Sequence, residues 1–275
     1  ILTAAVAIMK GHSTMIKDSL LGVEPHLNVS YGGNVIYEWL DLYNEVRDQP
    51  NVLDAVPYSL GQVLLYHEGQ VRVVKIQSLP YQYPEDHEGE PIYEKLSGLI
   101  AKGDDGKPLG EFNLSDDYVI IGKSLADEFG LEVGDSVALN SLANGKEMLK
   151  ALNENDSDFE EMILPADLEV AGIFDSGWQV IDDYTVFIPL ERGQNFYRMG
   201  FGIHGIAIHT EDPFTVEEVQ QELLAVVEPP LNVVTWMDKS QFMVEMAGTM
   251  EMIIFVLLFV IMVVAGFSIV NTTIT

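Results

Sequence analysis

Cysteine is absent from the 275 residues. Without it no disulfide can stabilise the fold and no thiolate can bind a metal, so stability must come from a packed hydrophobic core. Basic residues are also scarce, because 14 lysine and arginine side chains stand against 43 aspartate and glutamate side chains, for a formal net charge of -29. A surface this acidic repels phosphates, which excludes nucleic acid as a partner.

The common motifs of enzymes and nucleotide-binding proteins are missing too. Neither G-x-S-x-G nor H-E-x-x-H occurs. Residues 122–124 (GKS) resemble the end of a phosphate-binding loop, but Asp117 stands where its first glycine belongs, and Ser124 reads better as a helix N-cap. His204 and His209 have no evident third ligand, so surface histidines are expected. The sequence predicts a non-enzyme with no catalytic residue, no cofactor and no metal site.

Acidic residues cluster in two ways. Asp182 and Asp183 are neighbours whose side chains diverge on an extended chain, which predicts turn residues. The run 154–161 (ENDSDFEE) lacks the glycine and the spaced terminal glutamate of a calcium loop. It therefore reads as a solvated acidic face.

One long hydrophobic run is present. Residues 252–270 are mostly apolar and residues 252–275 carry no charge, which approaches the roughly 20 residues that a membrane-spanning helix needs. At the other end Ile1–Met9 is apolar and continues with helical spacing to Gly22, so it reads as the end of another membrane helix, with a signal-peptide remnant as the alternative. Membrane helices are therefore predicted at residues 1–22 and 246–272.

The region between these ends predicts an α+β fold. A strand at 26–31, a helix over 35–48, and strands at 52–56 and 61–76 with a turn at Glu68-Gly69 form a first unit. A strand at 205–209, a helix from Thr215 and a strand at 232–236 repeat the βαβ pattern. These units predict one subdomain, 24–80 plus 202–240. Short strands near 118, 137, 168 and 185, with a helix at 124–129 that Gly130 ends, predict a β-rich insert over 81–201.

Flexible apolar side chains cluster at the start of the second predicted membrane helix. Such side chains suit an irregular ligand such as an acyl chain, while ordinary lipid-facing or helix-packing roles stay open. The candidate contacts are Phe242, Met243, Met246, Met250 and Ile253.

Several stretches resemble the permeases of lipoprotein-releasing (Lol-type) ABC transporters, in the MacB-like and FtsX-like permease superfamily. They are IMKGHSTMIKDSLLGVEPHLNV, IIGKSLADEFGLEVGDSVAL, LEVAGIFDSG, DDYTVFIPLERGQNFYRMG and VVTWMDKS. Gly22, Pro25 and His26 resemble the G-x-x-P-H with which that branch opens its extracytoplasmic loop, and Thr235-Trp236 its lead into the next helix.

The resemblance implies an extracytoplasmic MacB-like core of two subdomains, porter-like and sabre-like, flanked by transmembrane helices of a multi-pass inner-membrane protein. It implies a permease that extracts lipoproteins from the inner membrane and passes them to a soluble carrier. The implied partners are a separate ABC ATPase subunit, a second permease, lipoprotein cargo and a soluble periplasmic lipoprotein carrier. Alternatives are a mechanotransmission efflux permease and an FtsX-like activator of a cell-wall hydrolase.

In one of the two paralogous Lol permeases, a hairpin between sabre strands captures the carrier. The matching segment here is 140–167, which has a helical period and an acidic run where the family has a short proline-containing hairpin. This departure argues against carrier docking at that place. The candidate residues for contact with a carrier or another partner are Leu142, Met148, Leu152 and Phe159.

Overall fold

The structure, a computed structural model, describes residues 24–81, 96–115, 117–142 and 165–239, with isolated helical positions between 249 and 263. The chain divides into two compact units, residues 20–235 and residues 1–19 with 236–275. Within the described residues, no helix is long and apolar enough to cross a membrane. The spans predicted at 1–22 and 246–272 lie outside the described residues, apart from those isolated positions.

Strands dominate the described part of the chain. In chain order the elements are β1 (Leu27–Ser30), α1 (Trp39–Arg47), β2 (Val52–His67), β3 (Gln70–Leu79), β4 (Tyr118–Gly122), α2 (Lys123–Phe129), β5 (Ser136–Ser141), β6 (Ala166–Phe174), α3 (Gln179–Asp182), β7 (Thr185–Pro189), α4 (Leu190–Phe196), β8 (Gly205–Thr210), α5 (Val216–Val226), β9 (Asn232–Thr235) and α6 (Trp236–Lys239). The predicted α+β class is confirmed.

Two interleaved βαβ units build a small antiparallel sheet. Its order is β2-β8-β1-β9, so that β8 lies between β1 and β2, and β1 lies between β8 and β9. This is the split βαβ arrangement, in which each unit supplies the strand that fills the gap of the other. Helices α1 and α5 contact each other and this sheet. The predicted repeat of βαβ units is confirmed.

The remaining strands, together with the second half of β2, close into a barrel. Each consecutive pair in the series β2-β3-β7-β4-β6-β5 is hydrogen-bonded, and β5 pairs with β2 again. Closure removes the free edges that an open sheet would expose. Alternate strand residues point inward and fill the interior, including Val63, Val74, Val119, Leu139 and Val186. The barrel is therefore a packed core and not a channel.

Strand β2 belongs to both sheets. It is one strand of 16 residues, whereas the sequence predicted separate strands at 52–56 and 61–76. Its first half pairs with β8 and its second half with β3 and β5. The turn at Glu68-Gly69 lies where it was predicted, with positive φ at both residues.

A second hydrophobic cluster joins the two sheets. It contains Val56 and Tyr58 of β2 and Ala207 of β8 from the antiparallel sheet, together with Ile120 and Phe187 from the outer face of the barrel. The segment 96–114 adds further apolar side chains to it. Burial of this apolar area holds the sheet and the barrel against each other. Because the hydrophobic effect is non-directional, it does not by itself set the angle between them.

Two helix starts differ from the prediction. Helix α1 begins at Trp39 and not at Val35, because Ile36 forms a β-bridge with Ile203. Helix α2 begins at Lys123 with Gly122 as its N-cap, and no side chain caps it, so the expected N-cap role of Ser124 is wrong. Gly130 ends this helix in the left-handed conformation, as predicted from its position.

Candidate functional site

The candidate acyl-chain contacts fall almost wholly outside the described residues. Ile253 alone is described, as a helical position with 57% of its surface exposed. The members outside the described residues are Phe242, Met243, Met246 and Met250. Their joint role stays a prediction.

The candidate carrier contacts have a similar outcome. Leu142 follows β5 directly and is half-buried. Met148, Leu152 and Phe159 lie outside the described residues, as does the acidic run 154–161. The position of Leu142 beside the barrel is thus known, while its grouping with the other three stays a prediction.

The GKS tripeptide lies at a tight corner between β4 and α2. A Cβ at Gly122 would collide with the backbone of Asp182, so glycine serves close packing there. Lys123 Nζ pairs with a carboxylate oxygen of Asp175 at 3.4 Å. The residues therefore support a structural corner and not a phosphate cradle.

Asp182 is buried and does not behave as an exposed turn residue, so that prediction is wrong for this member of the pair. Its carboxylate accepts a hydrogen bond from the backbone N–H of Ser176 at 3.0 Å. Burial raises the pKa of Asp182, opposed by this hydrogen bond and reinforced by the charge of Asp175. Among the described residues, no group of three or more His, Asp or Glu side chains could hold a metal ion.

A gap in the hydrogen-bond ladder of β2 is the most unusual arrangement in the described chain. One edge of β2 pairs with β8 over Val52–Tyr58 and then with β5 over Val63–Tyr66. Between these stretches, residues 59–62 have no strand on that edge. Buried backbone N–H and C=O groups without hydrogen-bond partners at such a place would destabilise the fold.

His204 fills the first part of this gap. Its backbone N–H donates to the carbonyl of Tyr58 at 2.9 Å, and the backbone N–H of Leu60 donates to its Nδ1 at 3.1 Å. Because Nδ1 accepts a hydrogen bond, it carries no proton. Desolvation lowers the pKa of His204, which favours that neutral form. His204 is half-buried and bonded to β2, whereas the sequence predicted a surface histidine.

Tyr197 fills the second part. Its hydroxyl donates to the carbonyl of Gln62 at 2.9 Å, and its ring meets the His204 ring edge-to-face at 5.8 Å between centroids. Desolvation raises the pKa of Tyr197 to about 12, so the hydroxyl keeps its proton. A Cβ at Gly61 would collide with the Tyr197 ring and hydroxyl, which explains a glycine in the middle of a long strand.

Helix α4, which leads directly into Tyr197, is seated on β2 and β3 by a second glycine. Ser59 and Ser78 are cross-strand partners, and both are fully buried. A Cβ at Gly193 would collide with the side chains of both serines. Small residues on all three elements therefore bring α4 close enough to place Tyr197 over Gly61.

A further contact ties β1 to β8. The backbone N–H of Thr210 donates to Nδ1 of the buried His26 at 3.0 Å, and the Thr210 hydroxyl lies 3.0 Å from the same nitrogen. The His26 ring also packs edge-on against that of His209 at 5.2 Å. His26 thus anchors the first residues of β1 to the last residue of β8.

Sequence reasoning missed the roles of Tyr197 and His204. Spacing within one strand cannot show them, because their partners lie on β2, more than 130 positions away along the chain. Gly61 was a usable signal, since glycine inside a strand pattern indicates a close approach by another group. It indicated that a group approaches β2 but not which one.

The sequence is similar to known proteins over its whole length. The family described as MacB-like periplasmic core domain matches residues 1–226. "Lipoprotein-releasing system transmembrane protein LolC" of Neisseria meningitidis serogroup B is 22% identical over 275 residues, covering 98% of this chain and 61% of that protein. LolC of Xylella fastidiosa is 24% identical over 272 residues, covering 99% of this chain and 60% of that protein. The chain thus spans less than two thirds of these relatives.

A likeness to solved structures accompanies these matches. The periplasmic region of MacB from Actinobacillus actinomycetemcomitans has 14% sequence identity and a TM-score of 0.49, covering 82% of this chain and 95% of that one. The resemblance to lipoprotein-releasing permeases seen in the sequence is confirmed by the curated relatives. The family match covers more than half of the chain, and the chain therefore belongs to the MacB-like periplasmic core domain family.

Proposed function

We propose that this chain is part of the permease subunit of an ABC transporter that extracts lipoproteins from the inner membrane for transfer to a soluble carrier. The observation that carries the proposal is the similarity over 98% or more of the chain to proteins named as lipoprotein-releasing system transmembrane proteins. Family membership over residues 1–226 agrees with it. A separate ATPase subunit supplies the energy, so this chain needs no catalytic residue of its own.

The chain path suits a domain that is driven from the membrane. Strand β1 begins at Leu27, five residues after the predicted end of the first membrane helix at Gly22. Strand β9 ends at Thr235, shortly before the second predicted membrane helix. These two strands are neighbours in the antiparallel sheet. Movement of the two membrane helices would therefore reach the domain through adjacent strands.

The location and partners follow from the same proposal. The described residues between 24 and 239 form a periplasmic domain, and the segments 1–22 and 246–272 are inner-membrane helices of a multi-pass protein. Its partners are the ATPase subunit, a second permease of the same or a paralogous kind, lipoprotein cargo and a soluble periplasmic carrier. The acyl chains of the cargo contact the apolar side chains near the start of the second membrane helix.

The two subdomains meet inside β2. The porter-like subdomain was predicted to include 24–80 and the sabre-like subdomain 81–201. The pairing of β3 with β7 and of Val63–Tyr66 with β5 supports a border near Gly61. On this border, the second half of β2 and all of β3 belong to the sabre-like barrel.

Reconstitution tests the proposed function. The full-length protein, its ATPase and a triacylated lipoprotein are placed in proteoliposomes, and the lipoprotein recovered on a soluble carrier is measured with and without ATP. We expect ATP-dependent release that disappears with a hydrolysis-deficient ATPase. Alanine at Met243 and Met246 tests the acyl-chain contacts, with alanine at the exposed Leu224 of α5 as the matched change outside the membrane segment.

The opposite result is equally informative. A complex that hydrolyses ATP but transfers no lipoprotein to a carrier known to accept it contradicts the proposal. Measurement of small-molecule efflux and of cell-wall hydrolase activation by the same complex then decides between the two alternatives.

A further inference from the structure

The feature that carries a further inference is the stretch of β2, residues 59–62, that pairs with β3 on one edge and has no strand on the other. Groups of Tyr58, Leu60 and Gln62 point to the same edge, because alternate residues of a strand present their N–H and C=O groups to one side. Two strands cover this edge on either side of the gap, β8 before it and β5 after it. Side chains from outside both strands complete it.

A long strand bends most easily at a segment that lacks a neighbouring strand on one edge, because fewer hydrogen bonds resist bending there. Gly61 adds to this, since glycine has the widest choice of backbone conformations. The stretch also lies where β2 leaves the antiparallel sheet and enters the barrel. Left alone, it would act as a hinge between the two.

Three hydrogen bonds stiffen this point. They run from His204 N–H to the Tyr58 carbonyl at 2.9 Å, from Leu60 N–H to His204 Nδ1 at 3.1 Å, and from the Tyr197 hydroxyl to the Gln62 carbonyl at 2.9 Å. The Tyr197 ring also lies directly on Gly61. Both side chains are held in place, Tyr197 by the end of α4 and His204 by the start of β8.

We propose that His204 and Tyr197 form a clamp on β2 that fixes the angle between the antiparallel sheet and the barrel, so that motion imposed on the sheet is passed to the barrel. They are positioning residues and contact no cargo in this role. The part concerning transport rests on the proposed function above. The apolar cluster between sheet and barrel keeps the two in contact, whereas the clamp supplies the directional bonds that set their angle.

Distances between two labels test the clamp without any transport assay. Because the chain has no cysteine, Glu218→Cys on α5 and Gln70→Cys on the barrel hairpin create one labelled pair. Both positions are exposed. In the full chain in nanodiscs, spin-label distance measurements should give a narrow distribution for the parent protein. Tyr197→Phe and His204→Leu should broaden or shift it.

Conservative and unrelated changes serve as controls. His204→Asn places an amide oxygen near the position of Nδ1, can accept from Leu60, and should restore the narrow distribution. Gln220→Met removes a comparable side-chain bond to the backbone, from Gln220 Nε2 on α5 to the Val233 carbonyl on β9 at 2.9 Å, which joins a helix to the antiparallel sheet and does not involve the barrel. It should leave the sheet-to-barrel distance unchanged.

The coupling is then measured in the reconstituted complex as lipoprotein released per ATP hydrolysed. For Tyr197→Phe and His204→Leu we expect a loss of about 2- to 30-fold, the range found when a coupling element between parts of a protein is weakened, with ATP hydrolysis unchanged. His204→Asn and Gln220→Met should stay near the parent value.

The two readouts separate the clamp from the proposed function. If His204→Leu and Tyr197→Phe both keep the parent distance distribution, the apolar cluster alone sets the angle and the clamp is overturned. If distances broaden but release per ATP is unaffected, the coupling role is overturned. If the parent complex releases no lipoprotein at all, the proposed function fails, while the distance measurement still decides whether the clamp exists.

Discussion

The close contact between Gly61 and Tyr197 predicts that the effect of Gly61→Ala on stability depends on whether residue 197 is tyrosine or alanine. Gly61→Ala places a methyl group where the ring and hydroxyl of Tyr197 now lie. The ring must leave, and its hydrogen bond to the Gln62 carbonyl is lost with it. With Tyr197→Ala the same methyl group meets no ring.

The magnitude follows from three contributions. Overpacking of this kind costs about 1 to 3 kcal/mol, and loss of the hydrogen bond adds about 1 kcal/mol. Replacing glycine inside a strand returns about 0.5 to 1 kcal/mol. We therefore expect Gly61→Ala to lower the free energy of unfolding by roughly 2 kcal/mol in the parent, and to be neutral or slightly stabilising in the Tyr197→Ala background, a coupling of roughly 2 to 3 kcal/mol.

Urea unfolding of the full chain in detergent micelles, followed by tryptophan fluorescence, measures all four proteins of this cycle. Tyr197→Phe is the matched control, because it removes the hydroxyl but keeps the ring, so Gly61→Ala should remain costly there. Equal effects of Gly61→Ala in the parent and in the Tyr197→Ala background would refute the reasoning.

Three further predictions concern stability and are measured in the same way. Gly110→Ala should lower the free energy of unfolding by more than about 3 kcal/mol, because Gly110 has φ of +81° and a Cβ there would collide with the backbone of Ala171. Gly106 is the control, because it has a similar φ of +78° but no atom near the position of a Cβ. Gly106→Ala should therefore lower the free energy of unfolding by only about 1 kcal/mol. The lowered pKa of His204 means that the unfolded chain gains a proton first as pH falls, so stability should be full above pH 6.5 and decline below it, by less in His204→Asn. The raised pKa of Asp182 makes stability depend on pH in the opposite direction, because the contribution of Asp182 is lost as pH rises from 3.8 through its folded-state pKa. Asp182→Asn should therefore be stabilising at neutral pH and without effect well below pH 3.8.

Each of these predictions can fail clearly. Equal costs for the two glycine changes would mean that the backbone contact at Gly110 is unimportant. A stability profile that is flat between pH 7 and pH 5, or one that does not change with His204→Asn, would contradict a neutral and desolvated His204. Loss of stability on Asp182→Asn at neutral pH would show that the charge of Asp182 is favourable where it is buried.

The sequence alone was sufficient for most local structure. Alternation and helical spacing predicted the α+β class and the two βαβ units, because these patterns record which face of each element is buried. Glu68-Gly69 and Gly130 predicted a turn and a helix end, because the glycine at each place adopts positive φ without strain. Family resemblance rested on contiguous stretches of sequence, and the family match over residues 1–226 agrees with it.

Tertiary structure decided how these elements combine. The sequence predicted separate strands at 52–56 and 61–76, but pairing with β8 on one side and β3 on the other makes β2 one strand. The closure of the barrel and the roles of His204 and Tyr197 depend on contacts between residues far apart in the chain. Local propensity carries no information about such contacts, which are set by the packing of whole elements, and so only the folded structure could show where β2 is held.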